Sequence, residues 1–196
     1  MSDDARPSSV HAVLLAAGAG RRMGRPKALV IGHDGTPWVV SAVRALVDGG
    51  CDAVTVVLGA AAEEARALVP EGVRVVVAPA WERGMSASLA AGLAALQDDD
   101  AAAALLHLVD LPDVGADVVR RVLALGAAPS VLARAGYAGR PGHPVLLGRD
   151  HWAGVAAEAR GDAGARAYLR TRDVAVVECG DLADGMDVDR PPVEPS

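Results

Sequence analysis

The chain has 196 residues and a formal net charge of -6, and hydrophobic residues make up 52% of it. A chain of this length and apolarity is expected to fold around one sizeable core rather than to stay disordered. The negative charge and the 3% of aromatic residues exclude a groove for nucleic acid, because such a groove needs basic side chains and stacking surfaces.

The N-terminal residues MSDDARPSS are polar and do not resemble a signal peptide. Apolar runs are interrupted by glycine, proline or charge before they reach the roughly 18 residues of a membrane span. We therefore expect a cytoplasmic protein that does not enter the membrane.

Apolar, β-rich runs alternate with helical stretches along the chain. The predicted strands are residues 10–16, 53–58, 73–77, 103–109, 130–133 and 174–177. The predicted helices are residues 38–47, 60–68, 86–96, 117–125, 152–159 and 163–170. Several of the strands are nearly continuous in valine, leucine and alanine, as strands buried on both faces are. The alternation predicts an α/β fold with a mostly parallel sheet covered by helices on both sides.

The first predicted strand leads into LAAGAGRRMGRPK, residues 15–27. Glycine lets a ligand approach the backbone, arginine and lysine attract anions, and ligands of open α/β sheets bind at this edge. The segment is not a dinucleotide fingerprint, because Met23 stands where the third glycine belongs, and it has no Gly-Lys pair of a phosphate-binding P-loop. A surface turn with solvated arginines remains the alternative.

LAAGAGRRMGRPK resembles the signature loop of the MobA-like nucleotidyltransferase family, which has a three-layer α/β/α Rossmann-like fold. The resemblance implies that the backbone of the loop wraps a nucleoside triphosphate. The residues that would form this cradle are Leu15, Ala16, Ala17, Gly18 and Gly20. It also implies that Arg22 and Lys27 bind the phosphates and stabilise the departing pyrophosphate, which makes both residues catalytic.

A carboxylate, Asp110, ends the strongly apolar segment LLHLVDLPDV. An aspartate before a turn is commonly a cap, and we predict that role for Asp113, ahead of a helix at residues 114–125. Nucleotidyl transfer uses Mg²⁺, which prefers oxygen ligands. Because the family has a metal-binding aspartate at the end of this strand, the resemblance implies that Asp110 is a catalytic metal ligand.

Two further carboxylates, Asp187 and Asp189, stand in MDVDRP near the C-terminus. Alternate residues of an extended segment share one side, although a pair of this kind is also typical of a solvated loop. Family members that act on the molybdenum cofactor have a similar tail, so the resemblance implies that Asp189, and then Asp187, bind the metal with Asp110. We interpret the acidic run at residues 98–100 as a solvated turn.

The segment WERGMSASLAAGL, residues 81–93, is predicted to hold a helix capped by Ser86 or Ser88. It resembles the base-reading segment of the molybdenum cofactor subgroup, which implies that Gly84, Ser86 and Ser88 contact the nucleotide. In that subgroup, LAAG in the first loop and a Ser-Leu pair here accompany cytidine, so the resemblance implies CTP rather than GTP.

Two segments of the C-terminal half, GRPGHPVLLGR and RGDAGARAYL, resemble the molybdenum cofactor cytidylyltransferases. A lone histidine is usually structural, and Asp162 is predicted to be a helix N-cap. The resemblance nevertheless implies that His143, Asp162 and Arg166 bind the acceptor. His107, inside an apolar strand, is predicted to lie in the core.

Together these patterns predict one nucleotidyltransferase domain over residues 9–191, with disordered tails at 1–8 and 192–196. The nucleotide would bind to its N-terminal part and the acceptor to its C-terminal part. The resemblance implies transfer of CMP to the phosphate of a molybdopterin-type cofactor, with Mg²⁺, and suggests a molybdoenzyme of the xanthine dehydrogenase type as a partner. Two alternatives stay open: transfer to a sugar 1-phosphate or another small phosphate, and a non-catalytic carrier of the cofactor.

Overall fold

The computed structural model describes residues 9–190, so Pro191 and the tails expected at residues 1–8 and 192–196 lie outside it. Its strands are β1 Val10–Ala16, β2 Ala53–Leu58, β3 Arg74–Val77, β4 Ala103–Leu108, β5 Leu132–Tyr137, β6 Arg140–Gly148 and β7 Ala175–Glu178. Its α-helices are α1 Trp38–Asp48, α2 Ala62–Arg66, α3 Met85–Ala94, α4 Ala116–Leu123, α5 Arg149–Glu158 and α6 Arg166–Arg170. Every helix in residues 9–190 falls short of the length and apolarity that crossing a membrane demands.

The strands form a single sheet in the order β3-β2-β1-β4-β6-β5-β7. Strands β1, β2, β3 and β4 run parallel, β6 is antiparallel to both of its neighbours, and β7 is parallel to β5. The predicted mostly parallel α/β fold is therefore confirmed. Because the chain passes to one side of β1 for β2 and to the other side for β4, the carboxyl ends of β1 and β4 form a topological switch point.

Strand β6 was not among the predicted strands. Its sequence, RPGHPVLLG, holds two prolines and two glycines, which weaken the signal of a strand. The ladder with β4 runs only from Ala103↔Gly148 to Leu106↔Val145. Pro141 and Pro144 therefore lie beyond that ladder, where their missing N–H groups break no bond with β4.

Helices cover the sheet on both sides, and each side has its own core cluster. On one side, Leu14 of β1 packs with residues of α1 and α4 such as Leu46 and Val119. On the other side, Val13 packs with residues of α3 and α5 such as Leu89. Every residue of β1 is buried, as the continuous apolar run predicts.

The prediction that Ser86 or Ser88 caps a helix is wrong. The α3 helix begins at Met85, so both serines lie inside it, and no side chain of residues 9–190 caps its start. The preceding residue, Gly84, has a φ of 105°, a conformation that favours glycine. A Cβ at Gly84 would also lie 2.6 Å from Oδ1 of Asp162, so this glycine permits close packing between the two halves of the chain.

The prediction that Asp162 is a helix N-cap is also wrong. Asp162 lies in a 3-10 turn, Gly161–Ala163, and α6 begins only at Arg166 without a side-chain cap. The intervening Gly164 has a φ of 53°, which interrupts the predicted helix at residues 163–170.

The acidic run at residues 98–100 is not only a solvated turn. Asp99 lies 2.9 Å from Nδ1 of His11 and forms two hydrogen bonds with the guanidinium group of Arg74. Nε2 of the same histidine lies 3.0 Å from the hydroxyl of Thr55. These contacts join β1, β2 and β3 to the turn that follows α3, at the amino ends of the parallel strands.

The loop after β1 returns on itself through three backbone hydrogen bonds. The amides of Met23 and Gly24 both donate to the carbonyl of Gly20 at 2.9 Å, and the amide of Lys27 donates to the carbonyl of Gly18 at 3.3 Å. Gly20 has a φ of 57°, and a Cβ there would lie 1.9 Å from the carbonyl oxygen of Arg25. The loop therefore needs glycine at this position to close.

His107 is fully buried, as predicted, and neither of its ring nitrogens has a hydrogen-bond partner among the described residues. Burial lowers the pKa of His107 to about 4, against the opposing influence of Asp113. The unfolded chain binds a proton at this position below about pH 6.5, whereas the folded chain does so only below about pH 4. The folded state therefore loses stability as the pH falls through this interval.

We expect His107→Leu to flatten this pH dependence. The wild-type protein should lose about 2 kcal/mol more of its unfolding free energy between pH 7 and pH 5 than the variant does. Urea unfolding at both pH values measures the difference, and His33→Gln, at an exposed position, should behave as the wild type. Equal pH slopes for His107→Leu and the wild type would contradict the assignment.

Alanine substitutions at two glycines of the loop should differ in their effect. Gly20→Ala should lower the unfolding free energy by more than about 2 kcal/mol, because strain and collision with Arg25 add up. Gly18→Ala, which has nothing within 4 Å of the new Cβ, should change it by less than about 0.5 kcal/mol. Urea unfolding measures both, and equal losses would show that the geometry of the loop does not depend on Gly20.

Candidate functional site

A cavity of about 520 Å³ lies at the carboxyl ends of β1 and β4. The loop after β1 forms one wall, and the start of α3 and the C-terminal segment form others. The predicted site residues that line it are Leu15, Ala17, Gly18, Gly20, Arg22, Lys27, Gly84, Ser88, Asp110, Asp162, Asp187 and Asp189. The switch point thus brings together segments that are far apart in the sequence.

Two of the residues predicted to bind the nucleotide do not line this cavity. Ala16 is buried in the core between the sheet and α1. Ser86 lies inside α3 and is absent from the wall, whereas Ser88, two residues further along the helix, is buried and faces the cavity.

Lys27 lies between two of the predicted metal ligands. Its Nζ donates to Oδ2 of Asp110 at 2.5 Å and to Oδ1 of Asp189 at 2.6 Å. Burial lowers the pKa of Lys27, but the hydrogen bonds to the two carboxylates outweigh it and hold this pKa above its usual value. The hydrogen bond from Lys27 is also the main reason why the pKa of Asp189 lies below its usual value.

Arg22 supplies the second cation of the site. Its Nη2 lies 2.7 Å from Oδ2 of Asp189, and its side chain is 69% exposed. Asp189 therefore binds one cation with each carboxylate oxygen. Because most of the Arg22 side chain is in solvent, it is free to turn towards an anion in the cavity.

The C-terminal segment is held in place by the loop after β4. The amide of Val188 donates to the carbonyl oxygen of Asp110 at 2.9 Å. Val188 packs against the core, so Asp187 and Asp189 on either side of it face the cavity. Asp187 and Asp189 thereby reach the carboxylate of Asp110, which lies more than 70 residues upstream.

Asp113 does not cap α4, contrary to the prediction. That helix begins at Ala116 after Gly115, without a side-chain cap. Oδ2 of Asp113 instead accepts hydrogen bonds from the amides of Asp184 and Gly185, at 2.8 and 3.0 Å. Asp113 therefore anchors the segment that carries Asp187 and Asp189.

The three carboxylates fit a divalent metal ion. Asp110, Asp187 and Asp189 each offer an oxygen, and these oxygens all lie within 4.8 Å of one another. Hard cations such as Mg²⁺ and Mn²⁺ bind carboxylate oxygens in groups of this kind. The donor set therefore matches the predicted ligands.

The sequence analysis did not single out Trp81 and Met85 as site residues, although both line the cavity. Trp81 lies in a 3-10 turn, Trp81–Arg83, and packs closely on Gly59 after β2. Their apolar side chains offer a surface for a planar ring. The sequence signal that could have identified this apolar surface was the tryptophan just before the GMSAS segment.

A second cavity, of about 830 Å³, adjoins the first. The two share Met85, Leu108, Asp110, Asp162 and Asp187 in their walls. The predicted acceptor residues His143 and Arg166 line the second cavity, together with further arginines from β5, α6 and the following turn. The structure thus brings the C-terminal candidates next to two of the aspartates predicted to bind the metal, Asp110 and Asp187.

Arg134 of β5 was missed by the sequence analysis, since a single arginine in a strand carries no motif. Its Nε and Nη2 both donate to the carbonyl oxygen of Gly142, at 3.1 and 2.9 Å. Burial and the positive charge of Arg166 lower the pKa of Arg134, and burial lowers the pKa of His143 to about 3. His143 is therefore neutral near pH 7, whereas the two arginines give this cavity a positive wall.

The chain is similar to known proteins in both sequence and fold. Residues 12–176 match the MobA-like NTP transferase domain. Over 192 residues the chain is 39% identical to nicotine blue oxidoreductase of Paenarthrobacter nicotinovorans, and the alignment covers 92% of each chain.

Two solved structures share the fold. A nucleotidyl transferase from Methanothermobacter thermautotroptrophicus has a TM-score of 0.78 and 25% identity, covering 93% of this chain and 92% of its own. Rv0371c of Mycobacterium tuberculosis, in complex with manganese, has a TM-score of 0.74 and 27% identity, covering 92% of this chain and 94% of its own. Because the family model matches residues 12–176, most of the chain, this protein belongs to the MobA-like NTP transferase family of nucleotidyltransferases.

Proposed function

We propose that this nucleotidyltransferase moves CMP from CTP to the phosphate of a molybdopterin-type cofactor and releases pyrophosphate. One observation carries the proposal: Lys27, Arg22 and three aspartates converge beside the glycine loop at the switch point of the sheet. Cations and carboxylates together suit a triphosphate with its metal ion, because each balances a charge of the other.

The glycine loop would hold the triphosphate. Gly18 leaves open space where a side chain would stand, so phosphate oxygens can approach the backbone there. Lys27 and Arg22 lie at the same wall and would stabilise the charge that builds up on the pyrophosphate as it departs.

Asp110, Asp187 and Asp189 would hold Mg²⁺, and the manganese complex of Rv0371c supports a divalent ion in this fold. The bound ion would supply Lewis-acid stabilisation of the α-phosphate of the nucleotide. The resemblance of LAAG and of Ser88-Leu89 to the cytidine subgroup supports CTP, with Trp81 and Met85 as the apolar surface for the base.

The second cavity would hold the acceptor, with His143, Asp162 and Arg166 as its ligands. A phosphate monoester is largely ionised near pH 7, so its oxygen needs no general base to attack the α-phosphorus. A bond forms between that oxygen and the α-phosphorus. The bond between the α-phosphorus and the oxygen that bridges it to the β-phosphorus breaks, and this oxygen leaves as part of pyrophosphate. The residues of the chain then contribute by positioning and by charge neutralisation. We further propose a molybdoenzyme of the xanthine dehydrogenase type as the recipient of the product.

A second candidate function is an oxidation–reduction, favoured by the name of the 39% identical relative, nicotine blue oxidoreductase. Such a protein would consume a nicotinamide nucleotide or another reductant with a coloured substrate. The carboxylate and lysine cluster has no evident use in hydride transfer, so we place this function second.

The test is incubation of the protein with Mg²⁺ and each of the four nucleoside triphosphates in turn, with either molybdopterin cofactor or a sugar 1-phosphate as the acceptor. We expect pyrophosphate release when CTP and molybdopterin cofactor are both present, and none with the other three nucleoside triphosphates. Release with GTP alone would overturn the choice of cytidine, and release only with a sugar 1-phosphate would overturn the acceptor. No release with any pair of nucleotide and acceptor would favour the cofactor carrier. In a parallel assay, bleaching of nicotine blue by NADPH in the presence of the protein would favour the redox function.

Two substitutions should separate the catalytic groups from the fold. Asp110→Asn should abolish CMP transfer, and Lys27→Ala should slow it by about 10²-fold or more, the scale for loss of one charge-stabilising donor. Asp117→Asn, at an exposed position on α4, is the control and should keep wild-type activity. Turnover by Asp110→Asn near the wild-type rate, with an unchanged thermal midpoint, would remove Asp110 from the mechanism.

A further inference from the structure

We propose that Lys27 is an internal counter-ion of the metal site, which competes with the divalent ion for Asp110 and Asp189. The arrival of phosphate would move its ammonium group away from the two carboxylates and open them to the metal. The inference rests on the metal and triphosphate site of the proposed function, and it does not depend on the base or on the acceptor.

The contacts of Lys27 coincide with the metal ligands. Its Nζ lies 2.5 Å from Asp110 and 2.6 Å from Asp189, and both belong to the group of three carboxylates that fits a divalent ion. An ammonium group and a metal ion repel one another, and both need the same oxygen lone pairs. Tight binding of the metal therefore requires that Lys27 give up at least one of these contacts.

The type of cation at this position is distinctive. Lys27 is the only lysine of the chain, and the other 18 basic residues are arginines. An ammonium group is a compact point charge with three donors, which suits a place between two carboxylates, whereas the planar guanidinium group pairs best with one. The chemistry of this site thus accounts for a lysine in a chain that otherwise uses arginine.

The backbone of Lys27 is fixed, whereas its side chain lines the cavity. Its amide donates to the carbonyl of Gly18, and the next residue, Ala28, is fully buried. The four-carbon side chain begins beside the loop that would bind phosphate, so rotation alone can take its ammonium group from carboxylate to phosphate. The phosphates would then replace the two carboxylates as partners of the charge.

This exchange couples the two ligands. A metal ion that arrives first must displace Lys27, whereas one that arrives with phosphate finds the carboxylates released. By linkage, phosphate strengthens metal binding and metal strengthens phosphate binding by the same factor. The site would thereby take up its metal mainly together with the nucleotide.

The first test measures Mn²⁺ affinity without any nucleotide, from the electron paramagnetic resonance signal of free Mn²⁺. Lys27→Met should bind Mn²⁺ about tenfold more tightly than the wild type, within the usual range of coupling between sites. Arg25→Met removes one positive charge from the same loop at an exposed position, and should stay within about twofold because solvent screens that charge. Unchanged or weaker binding by Lys27→Met would overturn the proposal.

A second measurement uses the wild-type protein and so does not depend on the folding of a variant. Because Lys27 is the only lysine, acylation of its amine can be followed site-specifically by mass spectrometry of the peptide that contains it. Saturating Mg²⁺ alone should increase the acylation rate several-fold, since the ion displaces the ammonium group from the carboxylates. A rate that does not respond to Mg²⁺ would overturn the proposal. Neither measurement involves CTP or acceptor, so failure of CMP transfer would be distinguishable from failure of this inference.

Discussion

The hydrogen bonds from Lys27 to Asp110 and Asp189 are the contacts on which the site depends. They connect the first loop of the chain, the end of β4 and the C-terminal segment, across 162 residues in the longer case. Three carboxylates with oxygens within 4.8 Å of one another repel, and the charges of Lys27 and Arg22 offset this repulsion. The charge of the lysine therefore holds the cluster together in the absence of a metal ion.

The sheet determines where this contact can form. Because β1 lies between β2 and β4, the loops that leave β1 and β4 open onto the same crevice. The antiparallel β6 and the neighbouring β5 extend the sheet beyond β4 and carry His143 and Arg134 to the adjoining cavity. Two cavities that share Asp110 and Asp187 suit a reaction in which two bound groups must meet at one phosphorus atom.

Similarity to a protein named as an oxidoreductase does not by itself assign that chemistry to this chain. A fold positions loops, and the side chains on those loops decide the reaction. In this chain the loops carry a lysine, an exposed arginine and three aspartates in mutual reach. That set of groups is the reason why we propose nucleotidyl transfer rather than oxidation–reduction as the function.

The sequence by itself determined the local features of this protein. The continuous apolar runs predicted β1 and β2 to the residue, and the family resemblance of LAAGAGRRMGRPK and of MDVDRP pointed to groups that the structure brings together. Only the tertiary structure decided the placement of β6, the role of Asp113 as an anchor, and the inclusion of Arg134, because each depends on partners far away in the chain. Periodicity and motif spacing report neighbours along the chain, whereas the partner of a strand edge or of a buried charge is set by packing. For the same reason the resemblance of the loop implied a phosphate ligand at Lys27, but only the fold revealed that its ammonium group lies between two carboxylates.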